Sequence, residues 1–310
     1  MTGRRRLPPV AVARLGLSTV TILESLYQHR LLSTVQIHEL HTPGASDRWT
    51  RKVLGRLLQV GLVAVTRAPG GLGLWYLTER GADAVETIPS RAEQRRKVIL
   101  PEQAAGPLQA HTLAVNDVGL AFVRAARALG HECGPFAWRH EIAHPLSERR
   151  GHQPAERLIA DALLTYQLHD DDGPSAYHYR LLELDRATIQ VEHLSAKLAR
   201  YARLYEFAPP DPARADDEPA PLWRRSYPVF PGVLVVLDGQ LERAALERRR
   251  DDVLHLARAD DELRATPEVE ITVCLLEDLA ARGPFAPICR TLADPDTPAD
   301  WLGSTTGAHR

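Results

Sequence analysis

Between Leu158 and Tyr205 the chain carries charge inside runs that are otherwise apolar. The first run, LIADALLTYQL, holds a single acid, Asp161. After a polar turn, HDDDGPSA, the second run, YHYRLLELDR, holds Glu183 and Asp185. Apolar runs of this length, bounded by Asp, Gly, Pro and Ser, read as strands, and two around a short turn read as a hairpin. A carboxylate in a buried strand is costly unless something compensates it. Residues two apart share a face of a strand, so Glu183 and Asp185 point the same way, and a hairpin partner brings Asp161 beside them. Three carboxylates gathered like this suit a hard divalent cation such as Mg²⁺, with Mn²⁺ as a substitute. Such an ion takes one or two carboxylates together with water and phosphate.

A helix follows, ATIQVEHLSAKLARYARLY. Within and just before it, Gln190, His193, Lys197 and Tyr201 lie three, four and four residues apart and share one helical face. A plainer reading stands beside this one. Asp161 and Glu183 are then buried strand acids paired to arginines, Asp185 and Arg186 begin a turn, and Lys197 is a solvated charge beside Arg200 and Arg203.

At 310 residues, 44% hydrophobic and 25% charged, the chain has the composition of a globular protein of about two domains. No window approaches the roughly 18 unbroken apolar residues of a membrane span. The opening, MTGRRRLPPVAVARLGL, lacks a long apolar segment and a small-residue cleavage site, so it does not read as a secretion signal. Three widely spaced cysteines, Cys133, Cys274 and Cys289, read as reduced, packed thiols of a cytoplasmic protein. The net charge of −2 hides an asymmetry. Residues 1–100 hold 15 Lys/Arg and 7 Asp/Glu, whereas the rest holds 23 and 33. A basic amino-terminal part beside an acidic remainder points to a polyanionic partner for the former.

The basic part reads helix (17–30), short helix after Ser33, then a third helix capped by Asp47, RWTRKVLGRLLQVGL. The expected apolar stripe of the third helix is Trp49, Val53, Leu54, Leu57 and Leu58, with Arg48, Arg51, Lys52 and Arg56 exposed and Gly61 at its end. Two short apolar runs around Pro69-Gly70-Gly71 make a hairpin, followed by a helix from Glu79 to about Glu86. This is the order of a winged helix-turn-helix module, in which the third helix enters the major groove of double-stranded DNA. Arg48, Arg51, Lys52, Arg56 and, near the wing, Arg67 are its candidate DNA contacts. Residues 1–90 are thus the expected DNA-binding domain. The stretch 91–110, with Arg91, Arg95, Arg96 and Lys97, is a linker that either touches DNA or is only solvated.

Residues 111–290 form the second expected domain, with 291–310 as a frayed tail. Its elements are a helix (111–129), a strand (136–143), the two carboxylate strands, the helix to Tyr205, a Pro/Asp-rich surface stretch (208–221), a buried strand (231–239), an amphipathic helix (241–257) and a last strand (268–275). That order predicts an α/β (α+β) sandwich around a central mixed sheet. With an Asp on the second strand and an acidic pair ending the third, it resembles the PD-(D/E)XK restriction-endonuclease-like fold over roughly 111–240. Together with the winged helix, the chain is similar to the replication-relaxation family, whose pattern PDALL … ELDR … K…Y stands here as Ala160-Asp161-Ala162-Leu163-Leu164, Glu183-Leu184-Asp185-Arg186, and Lys197 with Tyr201.

The resemblance implies a role in plasmid or mobile-element replication and DNA relaxation, with replication or mobilisation proteins and a second copy as partners. The fold implies phosphodiester cleavage, a nicking nuclease: Asp161 and Glu183 holding Mg²⁺, Asp185 completing the shell, and Lys197 stabilising charge developing on the phosphate. Gln190, His193 and Tyr201 are the candidate contacts to substrate phosphate. Two departures count. Ala160 replaces the proline, and the lysine of E-x-K is replaced by Asp185, so Lys197 has to act from the helix. The alternative is a non-catalytic DNA-binding replication accessory factor or transcription regulator with a degenerate nuclease-like domain.

Overall fold

A computed structural model describes residues 16–68, 70–88, 108–148, 155–169, 173–210 and 219–305. The basic run Arg91–Lys97, most of the expected linker and the middle of the Pro/Asp-rich stretch (211–218) lie outside the described residues. The chain divides into two units, 1–120 with 134–136, and 121–133 with 137–310.

In the first unit α1 (Leu17–His29), β1 (Leu32–Ser33), α2 (Thr34–His41), α3 (Asp47–Gln59), β2 (Val63–Arg67), β3 (Gly73–Leu77) and α4 (Glu79–Glu86) follow in order. The strands form an antiparallel sheet in the order β1-β3-β2. Ser33 starts α2 through a capping box: its hydroxyl accepts from Gln36 N at 3.1 Å, and Gln36 Oε1 accepts from Ser33 N at 3.0 Å. Ser46, not Asp47, occupies the N-cap of α3, and Asp47 lies in the first turn, where its carboxylate pairs with Arg51. Ile22, Leu23, Leu26, Ile37, Leu54, Leu57, Leu62 and Leu74 close the core.

The apolar stripe expected for α3 is corrected at both ends, because Trp49 and Leu58 are exposed. Thr50 faces inward instead. Its hydroxyl lies 2.8 Å from His38 Nδ1 and 2.7 Å from Thr42 Oγ1, so a buried polar knot docks α3 on α2. In the first turn of α4, Gly81 is required by space, since a Cβ there would lie 2.0 Å from the Leu62 carbonyl oxygen.

A helix, α5 (Leu108–Leu129), contains the boundary between the units, and so 108–110 are helical rather than linker. The second unit is built on a six-stranded mixed sheet in the order β4-β5-β6-β7-β8-β9. Its strands are β4 (Trp138–Pro145), β5 (Arg157–Leu168), β6 (Ala176–Asp185), β7 (Gly232–Leu237), β8 (Ile271–Leu275) and β9 (Arg290–Thr291). The pairs β4/β5, β5/β6 and β8/β9 are antiparallel, whereas β6/β7 and β7/β8 are parallel. Parallel neighbours need crossover connections, which α6 (Val191–Glu206) and α7 (Arg243–Ala259) provide. Leu194, Leu198, Tyr201, Val253 and Leu254 of these helices pack on Leu158, Leu163, Leu181, Val235 and Val273 of the sheet. Two short helices, α8 (Asp261–Ala265) and α9 (Leu276–Arg282), flank β8.

Residues 292–305 do not fray as expected. Trp301 is fully buried, with its ring 4.9 Å from Phe122 and 5.3 Å from Tyr166. Among the described residues no helix is long and apolar enough to cross a membrane.

Candidate functional site

The β5/β6 register pairs Ala162 with Leu182, and continuing it by one residue sets Asp161 opposite Glu183. The ladder opens there. Asp161 Oδ2 accepts from the backbone N–H of Leu184 at 2.8 Å, a carboxylate standing where a strand carbonyl would otherwise be sought. Lys197, in the second turn of α6, donates to Glu183 Oε2 and lies 3.8 Å from Asp161 Oδ1. Tyr201, one further turn along, donates its hydroxyl to Glu183 Oε1. Asp161, Glu183, Lys197 and Tyr201 therefore form one cluster between β5, β6 and α6.

Exposure within the cluster is graded. The Glu183 side chain is 2% exposed, Asp161 21% and Lys197 28%. Burial pushes the Glu183 carboxyl up to about 8, and the Asp161 charge adds to the rise, against the opposing pull of Lys197 and Tyr201. The Tyr201 hydroxyl is raised well above its ordinary value, by burial first and then by Glu183.

Asp185 stands apart from this cluster. Arg249 of α7 donates Nε to its Oδ2, and the Ala187 N–H donates to its Oδ1 at 3.1 Å. Arg249 also donates to the Ile189 carbonyl at 2.7 Å, tying the turn after β6 to α7. Gln190 and His193 are exposed at the start of α6. Only Lys197 and Tyr201 of the four residues on the expected helical face meet the carboxylates. His144, on β4, meets the Tyr227 hydroxyl at 3.2 Å. Asp117 accepts from Gln36 at 2.7 Å in the first unit.

Among the described residues no group of three His, Cys, Asp or Glu side chains gathers as a metal shell. What remains is a pair, Asp161 and Glu183. A two-carboxylate set fits Mg²⁺ only where water and substrate phosphate fill the other positions.

Sequence reasoning missed Glu141. The β4/β5 register pairs His140 with Ala162 and Ile142 with Ala160, which sets Glu141 opposite Asp161. Its φ of 53° is a left-handed conformation that non-glycine residues rarely adopt. Such strain concentrates near functional positions. No local signal in the sequence marks it.

In the first unit Arg48, Arg51, Lys52 and Arg56 are all exposed on α3, with Trp49 beside them. Arg67 ends β2 and donates to the Gly71 carbonyl at 2.9 Å across the wing turn.

Among curated proteins none matches the chain. A solved structure, that of a mutant of Lactococcus lactis ZitR, is 26% identical over 25% of this chain and 51% of that chain, with a TM-score of 0.20. The chain spans about half the length of that protein, and a likeness so partial carries no weight here. The family model described as Replication-relaxation matches residues 23–215. That span covers well over half of the 310 residues, and it includes the basic α3, Asp161, Glu183, Lys197 and Tyr201. The protein belongs to the replication-relaxation family.

Proposed function

We propose that the protein binds double-stranded DNA in replication, gripping it with α3 of its first unit. The observation that carries this reading is the single exposed face holding Arg48, Arg51, Lys52 and Arg56, with Arg67 on the wing. A helix docked from behind by Val53, Leu54, Leu57 and the Thr50 knot is free to present that face to a groove. Arginines and lysines so placed neutralise phosphates and position the protein.

In the second unit we assign phosphodiester cleavage to the Asp161–Glu183–Lys197 cluster. Mg²⁺ held by the two carboxylates would supply Lewis-acid activation of water and of the scissile phosphate. Lys197 places its ammonium where it neutralises charge developing on a phosphate oxygen. Tyr201 fixes the Glu183 carboxyl through Oε1, and the Leu184 N–H fixes Asp161. Asp185 has a structural role, since Arg249 already holds it.

A second reading rests on one observation. Lys197 and Tyr201 occupy both oxygens of Glu183, so the cluster also works as a closed polar latch in a non-catalytic replication factor.

Supercoiled plasmid incubated with the protein, with and without Mg²⁺, separates the two. The nuclease reading predicts retarded plasmid without metal, nicked circles with Mg²⁺, and no nicking above background for Asp161→Asn. Retardation with intact supercoils in every lane establishes the latch instead. An absence of retardation at low salt overturns the DNA-binding proposal itself.

A further inference from the structure

We propose that Cys274 and Cys289 are a cross-strand thiol pair that oxidises to a cystine, a redox-sensitive staple at the edge of the second unit's sheet. This inference does not depend on the function proposed above. The β8/β9 register pairs Thr272 with Thr291 and Val273 with Arg290, and its next step sets Cys274 opposite Cys289.

The hydrogen-bond pattern identifies the kind of site. Leu292 N donates to Ile271 O at 2.8 Å, which makes 271/292 a hydrogen-bonded pair. Pairs alternate along an antiparallel ladder, so 274/289 falls at a non-hydrogen-bonded position, where Cα atoms lie about 4.5 Å apart and side chains are closest. Consistent with this, Cys289 turns its N–H and carbonyl the other way, to Ala299, at 2.8 and 2.9 Å. A Cα spacing of about 4.5 Å lies within the range a disulfide spans, roughly 4.4–6.8 Å. Side chains of a directly opposed antiparallel pair project to the same face of the sheet, and both thiols are buried there.

Both thiols are fully buried, which sets the chemistry. The neighbouring Cys274 thiol and then burial hold the Cys289 thiol well above its ordinary value, so little thiolate forms while the edge is closed. However, β9 is only two residues long and is the last strand of the sheet among the described residues, with the single Cys289/Ala299 bridge on its outer side. Its local opening exposes both sulfurs together.

The oxidant is a low-molecular-weight disulfide. One cysteine thiolate attacks a sulfur of the small disulfide, forming a mixed disulfide and releasing a small thiolate. The second cysteine, losing its proton to solvent, displaces the other small thiolate and closes the cystine. Two protein thiols are oxidised and one small disulfide is reduced to two thiols. The staple encloses 275–288, including α9, and fastens β8 to the segment leading to the Trp301 plug. Cys133, the third thiol, sits elsewhere in the fold, is pushed up to about 12 by burial, and serves as the internal control.

The full-length native protein is incubated with oxidised glutathione, then unfolded in iodoacetamide, and its mass and tryptic peptides are read. The expected product is a monomer lighter by two hydrogens, with Cys133 alkylated and the peptides of Cys274 and Cys289 joined. Formation accelerates as pH rises, and Cys289→Ala abolishes the joined peptide without altering Cys133 labelling. Alkylation of Cys274 and Cys289 in full after an incubation that oxidises the urea-unfolded chain overturns the proposal. Joined peptides that involve Cys133 as readily as the pair overturn it equally.

Discussion

Arg249→Ala is expected to destabilise the second unit by roughly 3–5 kcal/mol, the usual cost of leaving one partner of a buried ion pair alone. The Asp185 side chain is 2% exposed and that of Arg249 13%, so water cannot replace the lost guanidinium. The same substitution removes the bond to the Ile189 carbonyl and frees the turn between β6 and α6. Asp185→Asn is expected to cost less, because a side-chain oxygen remains to accept from Ala187, whose φ of 53° depends on that turn. Combining Asp185→Asn with Arg249→Ala recovers a substantial part of the loss, since neither member then leaves a buried charge. Chemical denaturation of the four proteins measures the cycle. Additive losses with no recovery in the double variant contradict an ion pair as the element fastening α7 to β6.

The contribution of Glu183 to stability is expected to fall as pH rises from about 4.5 to about 8. Its carboxyl is raised in the folded protein, mainly by burial, from 4.5 to about 8. Within that window the folded chain keeps a proton that the unfolded chain releases. The stabilisation is complete below 4.5 and disappears as pH passes through 8. The slope contributed is up to about 1.4 kcal/mol per pH unit, a few kcal/mol across the window. Glu183→Gln has no proton to lose. The stability difference, wild type minus variant, therefore decreases steadily between pH 5 and pH 8 in a denaturation series. A difference that stays flat with pH shows that Lys197 and Tyr201 overcome burial and keep the carboxyl ionised.

Local patterns carried most of what could be read in advance. The two strands, their hairpin and the opposition of Asp161 and Glu183 follow from apolar runs and a period of two, which depend on near neighbours. Lys197 and Tyr201 were legible because four residues make one helical turn. The partner of Asp185 was not, because Arg249 is 64 residues away and the intervening β7 crossover decides its position. The backbone of Glu141 gave no warning either, as nothing in RHEIA requires a positive φ. In α3 the stripe drifted, for an inward Thr50 satisfied by His38 and Thr42 leaves Trp49 outside. At the carboxyl terminus one tryptophan outweighs its polar surroundings, since burying so large a ring among Phe122, Tyr166 and Phe285 anchors the stretch. Its place at the carboxyl terminus alone points to fraying.

The affinity of the protein for a duplex of a few tens of base pairs, followed by fluorescence anisotropy across a salt series, tests the central claim that α3 is a DNA-binding face. Affinity is expected to fall linearly on a double-logarithmic plot, each neutralised phosphate contributing about 0.9 to the slope. Combining Arg51→Ala with Lys52→Ala is expected to weaken binding at least tenfold and to flatten the slope by about 2. Affinity indifferent to salt, or a double variant with unchanged affinity and slope, contradicts the account.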